Sequence, residues 1–124
     1  MRATNSSDPG PDRSKIARGR WGEARAAAWY QELGYVVLDR NWRTPTGEID
    51  LIVERDGTVV FSEVKARRTD RYGPPAAAVT AAKQRTIRRV AAEWLNAHDQ
   101  PRTAIRFDVV AITGVRVQLI ERAF

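Results

Sequence analysis

Two acidic residues in neighbouring predicted strands give this sequence its clearest potential for chemistry. Asp50 and Glu63 lie in short apolar segments that are joined by the turn sequence Arg55-Asp56-Gly57-Thr58. An Asp-Gly pair between two such segments favours a tight turn, which folds them into an antiparallel hairpin. In the resulting register Asp50 faces Glu63. Carboxylates that face each other repel and weaken a sheet, so a divalent cation between them is the natural counter-charge.

The alternation of side chains along a strand predicts four charged residues on one face of the hairpin: Glu48, Asp50, Glu63 and Lys65. Phosphodiester hydrolysis needs a metal ion that polarises the phosphate, an activated water and a group that neutralises developing charge. Asp50 and Glu63 supply two anionic oxygens, and the backbone carbonyl of Val64 can be a third ligand. The ammonium of Lys65 can orient the water or stabilise the transition state.

Alternative explanations exist for each of these residues taken singly. Glu48 faces Lys65 in the predicted register, and the two can form an ordinary cross-strand ion pair. The tripeptide Glu-Val-Lys occurs by chance in many strands, and Asp50 can simply accept hydrogen bonds from nearby backbone or arginine. In combination they favour a catalytic site.

The composition restricts the chemistry further. The chain of 124 residues contains no cysteine and one histidine, His98, so a metal must be held mainly by oxygen, which favours Mg²⁺ or Mn²⁺ over Zn²⁺. No run of about 18 apolar residues indicates a membrane span, and the N-terminus lacks a signal-peptide pattern. The cytoplasm is therefore the expected location. The net charge of +6 favours a polyanionic partner, most simply nucleic acid, although solubility alone would also explain it.

The periodicity of apolar residues predicts one α/β domain over residues 14–124, in the order α-β-β-β-α-β-β. Residues 1–13, which are rich in Ser, Asp, Pro and Gly, are predicted to be a disordered tail. Gly34 is expected to end the first helix. The predicted elements are a helix over 14–33, strands over 35–38, 48–54 and 58–66, a helix over 76–97, and strands over 106–113 and 115–121.

Several sequence motifs in combination resemble the YraN (UPF0102) family, which is similar to the Holliday-junction resolvase branch of the restriction-endonuclease-like, or PD-(D/E)XK, nucleases. The resemblance implies a mixed central sheet flanked by helices, and a metal-dependent nuclease site at Glu23, Asp50, Glu63 and Lys65. Asp50 lacks a preceding proline, as is common in that superfamily. The motifs are Arg18-Gly-Arg-Trp-Gly-Glu23, Arg40-Asn-Trp-Arg43, Gly47-Glu-Ile-Asp-Leu-Ile52, Phe61-Ser-Glu-Val-Lys65, Lys83 and Arg106-Phe-Asp-Val-Val110.

Further residues are predicted to bind nucleic acid or to support the site. The basic segment after Lys65 is the best candidate for phosphate contacts, although a solvated loop is the alternative. Asp108, in an apolar strand, is expected to be a structural acid paired with an arginine. The predicted nucleic-acid contacts are Arg67, Arg68, Arg71, Lys83 and Arg43, and the supporting residues are Glu48 and Gln84. Trp21, Trp29 and Trp94 are assigned to the core, whereas Trp42 and Tyr72 either stack on bases or pack.

The sequence therefore predicts a Mg²⁺- or Mn²⁺-dependent endonuclease that acts on nucleic acid, most simply DNA and including branched DNA, with Glu23 as an accessory acid. One alternative is a non-catalytic nucleic-acid-binding module of the same fold. Another is a homodimeric protein-interaction scaffold, in which the basic charge is incidental.

Overall fold

In the part of the chain that the structure describes, the fold is a five-stranded sheet with one helix on each face. The computed structural model describes residues 13–67 and 79–124, and only the backbone for 13–18 and for Arg67. The strands follow chain order, β1-β2-β3-β4-β5, and all neighbours are antiparallel except β3 and β4. The predicted mixed sheet and element order are confirmed. The elements are α1 (Arg13–Glu32), β1 (Val36–Thr44), β2 (Gly47–Arg55), β3 (Thr58–Arg67), α2 (Ala81–Ala97), β4 (Ala104–Thr113) and β5 (Arg116–Ile120).

Two hydrophobic cores lie on opposite faces of the sheet because the side chains of each strand alternate. Phe61 of β3 packs with Trp94 of α2 on one face, which we call the α2 face. Val60 packs with Tyr30 of α1 on the other, the α1 face. The predicted tail lies outside the described residues except for Arg13, the first residue of α1.

The first helix packs through alanines and Tyr30 rather than through Trp21. Ala26, Ala27 and Tyr30 are buried, whereas 48% of Trp21 is exposed, so the assignment of Trp21 to the core is wrong. A Cβ on Gly22 would lie 3.0 Å from the Cβ of Ala66. The backbone of α1 therefore approaches β3 too closely for a large side chain at this point. Trp29 is half-buried, and only Trp94 is a full core residue.

The second helix begins at Ala81, five residues later than predicted. Thr80 is its N-cap, and the Thr80 hydroxyl accepts a hydrogen bond of 3.1 Å from the Lys83 backbone amide. Val79 is buried but precedes the helix, and residues 76–78 lie outside the described part of the chain. No helix within the described residues is long and apolar enough to span a bilayer. The predicted inner face is confirmed for Ile87, Val90, Ala91 and Trp94.

The first strand is longer than predicted and continues through residues that the sequence assigned to a connection. It pairs with β2 as far as Thr44↔Gly47. Its polar side chains stay at the edge of the sheet, where backbone pairing does not require an apolar pattern. Asn41 has a φ of 50°, a left-handed conformation that asparagine adopts more readily than most residues. This distortion lies opposite Asp50.

Candidate active site

The hairpin register predicted from the turn sequence is confirmed. Arg55 pairs with Thr58 and Val53 with Val60, and the described pairing of β2 with β3 ends at Leu51↔Ser62. Beyond this point the Val64 backbone N–H donates to the Oδ2 atom of Asp50 at 2.9 Å. Meanwhile β3 remains paired with β4 to its end. Asp50 therefore lies where β2 separates from β3, which we call the fork.

The strand bends at the fork. Ile49 and Ile52 are three residues apart, yet both pack on the α2 face, whereas Leu51 packs on the α1 face. Regular alternation would send Ile49 and Ile52 to opposite faces. The bend faces the left-handed Asn41 of β1. The four charged side chains thus do not form the regular row that strict alternation predicted.

Glu48 is the residue most affected by this bend. It pairs with Arg43 of β1, and its Oε2 atom accepts a hydrogen bond of 3.0 Å from the Arg43 Nη2 atom. The prediction that Glu48 faces Lys65 is wrong, because β2 and β3 have separated before their register reaches that pair. The Arg43 guanidinium that was predicted to bind nucleic acid is bonded to Glu48 at the surface.

Asp50 is electrostatically unusual. Its partial burial, together with the nearby Glu63 carboxylate, raises the pKa of its carboxyl group from 3.8 to about 7. The hydrogen bond from Val64 opposes this effect, whereas Glu23 and Glu48 add to it. The three glutamates therefore lie close enough to Asp50 for their charges to raise its pKa. Such an excess of negative charge favours either a proton or a bound cation.

Glu63 is the second acid of the fork, and two ammonium groups surround it. Its side chain is 7% exposed. The Lys65 Nζ atom lies 3.2 Å from its Oε2 atom, and the Lys83 Nζ atom lies 3.9 Å from the same oxygen. Lys65 reaches back along β3, whereas Lys83 comes from the first turn of α2. The carboxylate is thus neutralised by flexible ammonium groups that a metal ion can displace.

Glu23 reaches the fork from α1. Gly22 lies directly on the sheet, with Ala66 and Val64 as its nearest neighbours. The next residue along a helix is rotated by about 100°, so Glu23 leaves this contact toward one side. It is half-buried and contributes to the raised pKa of Asp50, which places it on the β2 side. Its role as an accessory acid stays a prediction.

The donors at the fork fit a hard cation only in part. Within residues 13–67 and 79–124, no three His, Cys, Asp or Glu side chains converge on one point. Asp50 and Glu63 nevertheless supply oxygen ligands of the type that Mg²⁺ and Mn²⁺ prefer, and both ions keep several waters. In a strand the N–H and C=O of one residue point to the same neighbour. Since the Val64 N–H bonds Asp50, the Val64 carbonyl also faces the fork and suits the predicted third ligand.

Most other predicted contacts lie beside the site or outside the described residues. Arg68, Arg71 and Tyr72 fall within the undescribed residues 68–78, and the side chain of Arg67 is not described. The Gln84 amide donates to the Val79 carbonyl at 3.1 Å, so it fixes the start of α2. Trp42 is half-buried and packs on the α2-face core, with His98 at its edge.

Asp108 is a structural acid, as predicted. It is fully buried, and both of its carboxylate oxygens accept hydrogen bonds of 2.9 Å from the Arg106 guanidinium. The Tyr30 hydroxyl lies 2.9 Å from Asp108 and 3.0 Å from Ser62. An ionised carboxylate can only accept, so the Tyr30 hydroxyl donates to Asp108 and accepts from Ser62. This network joins α1 to β3 and β4, and its tyrosine was not anticipated from the sequence.

Comparison with known proteins agrees with the motifs. A family model described as "Uncharacterised protein family UPF0102" matches residues 22–112. A UPF0102 protein of Frankia casuarinae is 46% identical over 117 residues, which cover 90% of this chain and 99% of the relative. A UPF0102 protein of Rhodococcus opacus is 50% identical over 97 residues, which cover 78% of this chain and 82% of the relative. The extent of these matches shows that the chain is a member of the UPF0102 family.

Proposed function

We propose that this protein is a metal-dependent nuclease that hydrolyses phosphodiester bonds in DNA. The observation that carries the proposal is the fork itself, where the partly buried Asp50 carboxylate lies near Glu63 and raises the local negative charge. Two lysines reach Glu63 from different elements. Carboxylates that can hold a hard cation, with ammonium groups beside them, are the components that phosphoryl transfer requires.

Each side chain has a distinct role in the proposed reaction. Asp50 and Glu63, with the Val64 carbonyl, would hold Mg²⁺ or Mn²⁺, which when bound polarises the phosphate and lowers the pKa of water. With an ion bound, Lys65 would be free of Glu63, and its ammonium would orient the attacking water and stabilise the charge that develops on the phosphate.

Two further side chains complete the proposed site. Glu23 approaches from α1 and accepts hydrogen bonds from water at the edge of the fork, as an accessory acid. Lys83 approaches from α2, on the opposite face of the sheet, and is available for a phosphate oxygen of the substrate once Glu63 binds the ion. The chain thus supplies both anionic ligands for an ion and cationic groups for the nucleic acid.

The basic charge of the chain supports nucleic acid as the substrate. Formal net charge is +6, and the outer surface of α2 exposes Arg85, Arg88 and Arg89. This helix also carries Lys83, which reaches the fork. A phosphate backbone along α2 would therefore be attracted toward the proposed catalytic acids.

Cleavage assays with matched variants test the proposal. Purified protein is incubated with single-stranded, duplex, nicked, flapped and branched DNA, in Mn²⁺ and in EDTA. We expect cleavage in Mn²⁺ alone, and Asp50→Asn to lower its rate by roughly 100-fold or more, the scale for losing one group that stabilises transition-state charge. Asp56→Asn is the control, because it makes the same chemical change in the exposed hairpin turn. Equal cleavage by wild type and Asp50→Asn would refute the assignment.

A non-catalytic nucleic-acid-binding module is the second candidate. The observation that favours it is the neutralisation of Glu63 by Lys65 and Lys83, because these two ammonium groups balance the charge of Glu63 without a metal ion. This alternative predicts salt-sensitive DNA binding, no cleavage of any substrate in Mn²⁺, and the same DNA affinity in wild type and Asp50→Asn.

A further inference from the structure

Two large apolar side chains are exposed at the end of the molecule that carries the fork. Trp21 of α1 is 48% exposed, and Val115, in the turn between β4 and β5, is 87% exposed. The Arg25 Nη2 atom donates to the Val115 carbonyl oxygen at 3.1 Å, which ties this turn to α1. An exposed tryptophan beside a fixed apolar turn is unusual for a solvated surface, because most tryptophan is largely buried.

Helix geometry places this surface on the opposite side of α1 from Glu23. Gly22 rests on β3, and successive residues are rotated by about 100°, so Trp21 and Glu23 leave the contact in opposite directions. Glu23 lies toward Asp50 on β2. Arg25 lies one helical turn after Trp21 and reaches the β4–β5 turn. Trp21 therefore flanks the fork on its β5 side.

Gly22 also sets how near this surface is to the proposed catalytic groups. Its closest contacts are Ala66 and Val64, which adjoin Lys65 on either side in β3. Trp21 directly precedes Gly22 and therefore lies on the α1 face, whereas the alternation of β3 directs the Lys65 side chain to the α2 face. A strand of nucleic acid whose phosphate reaches Lys65 would therefore pass around this end of β3 to bring a nearby nucleotide to Trp21.

The charge around Trp21 suits a nucleic acid rather than an apolar partner. Segments 19–25 and 113–118, which form this surface, contain three arginines and a single acid. The acid is Glu23, which faces the fork, whereas Arg20 and Arg25 are exposed. An aromatic ring within a basic surface is the arrangement with which proteins bind unpaired bases, because the ring stacks and the cations meet the backbone.

We propose that Trp21 stacks on an unpaired base of the strand whose phosphate is bound at the fork, beyond the end of β3 from that phosphate, with Val115 as the second apolar wall. The substrate class is then DNA with unpaired nucleotides close to the cleavage point, such as a single strand, a flap or a branch. In a continuous duplex the bases are already stacked on each other and offer no free face. This inference deepens the proposed nuclease function and rests on it.

Binding measured without catalysis tests the inference. Anisotropy titrations in EDTA compare labelled single-stranded DNA with a blunt duplex of the same sequence. We expect Trp21→Ala to weaken single-strand binding about tenfold, the scale of one lost base stack, and to change duplex binding less than about twofold. Trp21→Phe retains a stacking ring and should keep most of the affinity. Ile105→Ala is the matched control, because Ile105 is 45% exposed at the start of β4, the other end of that strand.

A photochemical contact identifies the stacked ring directly. Single-stranded DNA that contains 5-iododeoxyuridine is irradiated in the complex, and the cross-linked peptide is sequenced by mass spectrometry. We expect the adduct on Trp21. An unchanged single-strand affinity in Trp21→Ala, or adducts only elsewhere, would overturn the stacking role while leaving the nuclease proposal intact. Absence of binding to both DNA forms by wild type would instead refute the nuclease proposal itself.

Discussion

The free energy of unfolding should respond to Asp50→Asn in a manner that depends on pH. The folded chain raises the pKa of Asp50 from 3.8 to about 7 by burial and by the Glu63 charge. The unfolded chain has no such environment. Between these two values the folded state retains a proton that the unfolded state has lost, so the stability of wild type falls as pH rises from about 4 to about 7. Asparagine does not titrate, and its side-chain oxygen can still accept from Val64.

The size of the effect follows from the shift. Each pKa unit corresponds to about 1.4 kcal/mol. The pKa shift therefore limits the loss of unfolding free energy in wild type to roughly 4 kcal/mol above pH 7. Asp50 is only partly buried, and local relaxation and water reduce this limit, so we expect about 1–2 kcal/mol. Asp50→Asn should therefore be similar in stability to wild type near pH 4 and more stable by this amount at pH 8.

Urea unfolding in EDTA at pH 4.5, 6 and 8 measures this difference. The control is Asp56→Asn, because Asp56 is exposed in the hairpin turn and has the left-handed φ that asparagine tolerates. Its effect should be the same at all three pH values. A constant difference between Asp50→Asn and wild type across the pH range, or a less stable variant at pH 8, would refute the electrostatic account of the fork.

Three further predictions concern the residues around the fork. Asp108→Ala should lower the free energy of unfolding by roughly 3–5 kcal/mol, because it removes the buried carboxylate that pairs with the Arg106 guanidinium; a loss below about 1 kcal/mol in urea titrations would contradict this. Tyr30→Phe should cost about 1–3 kcal/mol, since buried Asp108 loses a donor; an equal stability by calorimetry would show that water replaces the hydroxyl. Lys83→Met should tighten Mn²⁺ binding up to about fivefold, because its ammonium competes for Glu63; weaker binding would show that Lys83 does not compete.

The sequence was sufficient for the features that depend on local patterns. The Asp-Gly turn and the alternation beyond it fixed the register of β2 and β3, and this register placed Asp50 near Glu63. The apolar face of α2 followed from its helical spacing. The pairing of Asp108 with an arginine followed from the cost of burying an acid alone.

Features that depend on tertiary contacts were not predictable in the same way. The bend at Asp50 lies opposite Asn41 of β1, whose backbone is in the left-handed conformation. A prediction from strict alternation of side chains does not include such a bend. Lys83 reaches Glu63 because β3 and β4 are parallel, and α2, which lies between them in the chain, packs against the sheet. Trp21 was assigned to the core by residue type, whereas the contact with β3 is made by the adjacent glycine, which allows a closer approach. In each case the deciding contact is made with a different strand or helix.

The central claim is that Asp50 and Glu63 together hold a hard cation. Calorimetric titration of Mn²⁺ at pH 8 into wild type, Asp50→Asn, Glu63→Gln and the control Asp56→Asn tests it without a substrate. We predict one ion per chain in wild type and in the control, and loss of the binding heat in Asp50→Asn and in Glu63→Gln. Isotherms that coincide for wild type and Asp50→Asn would contradict the claim.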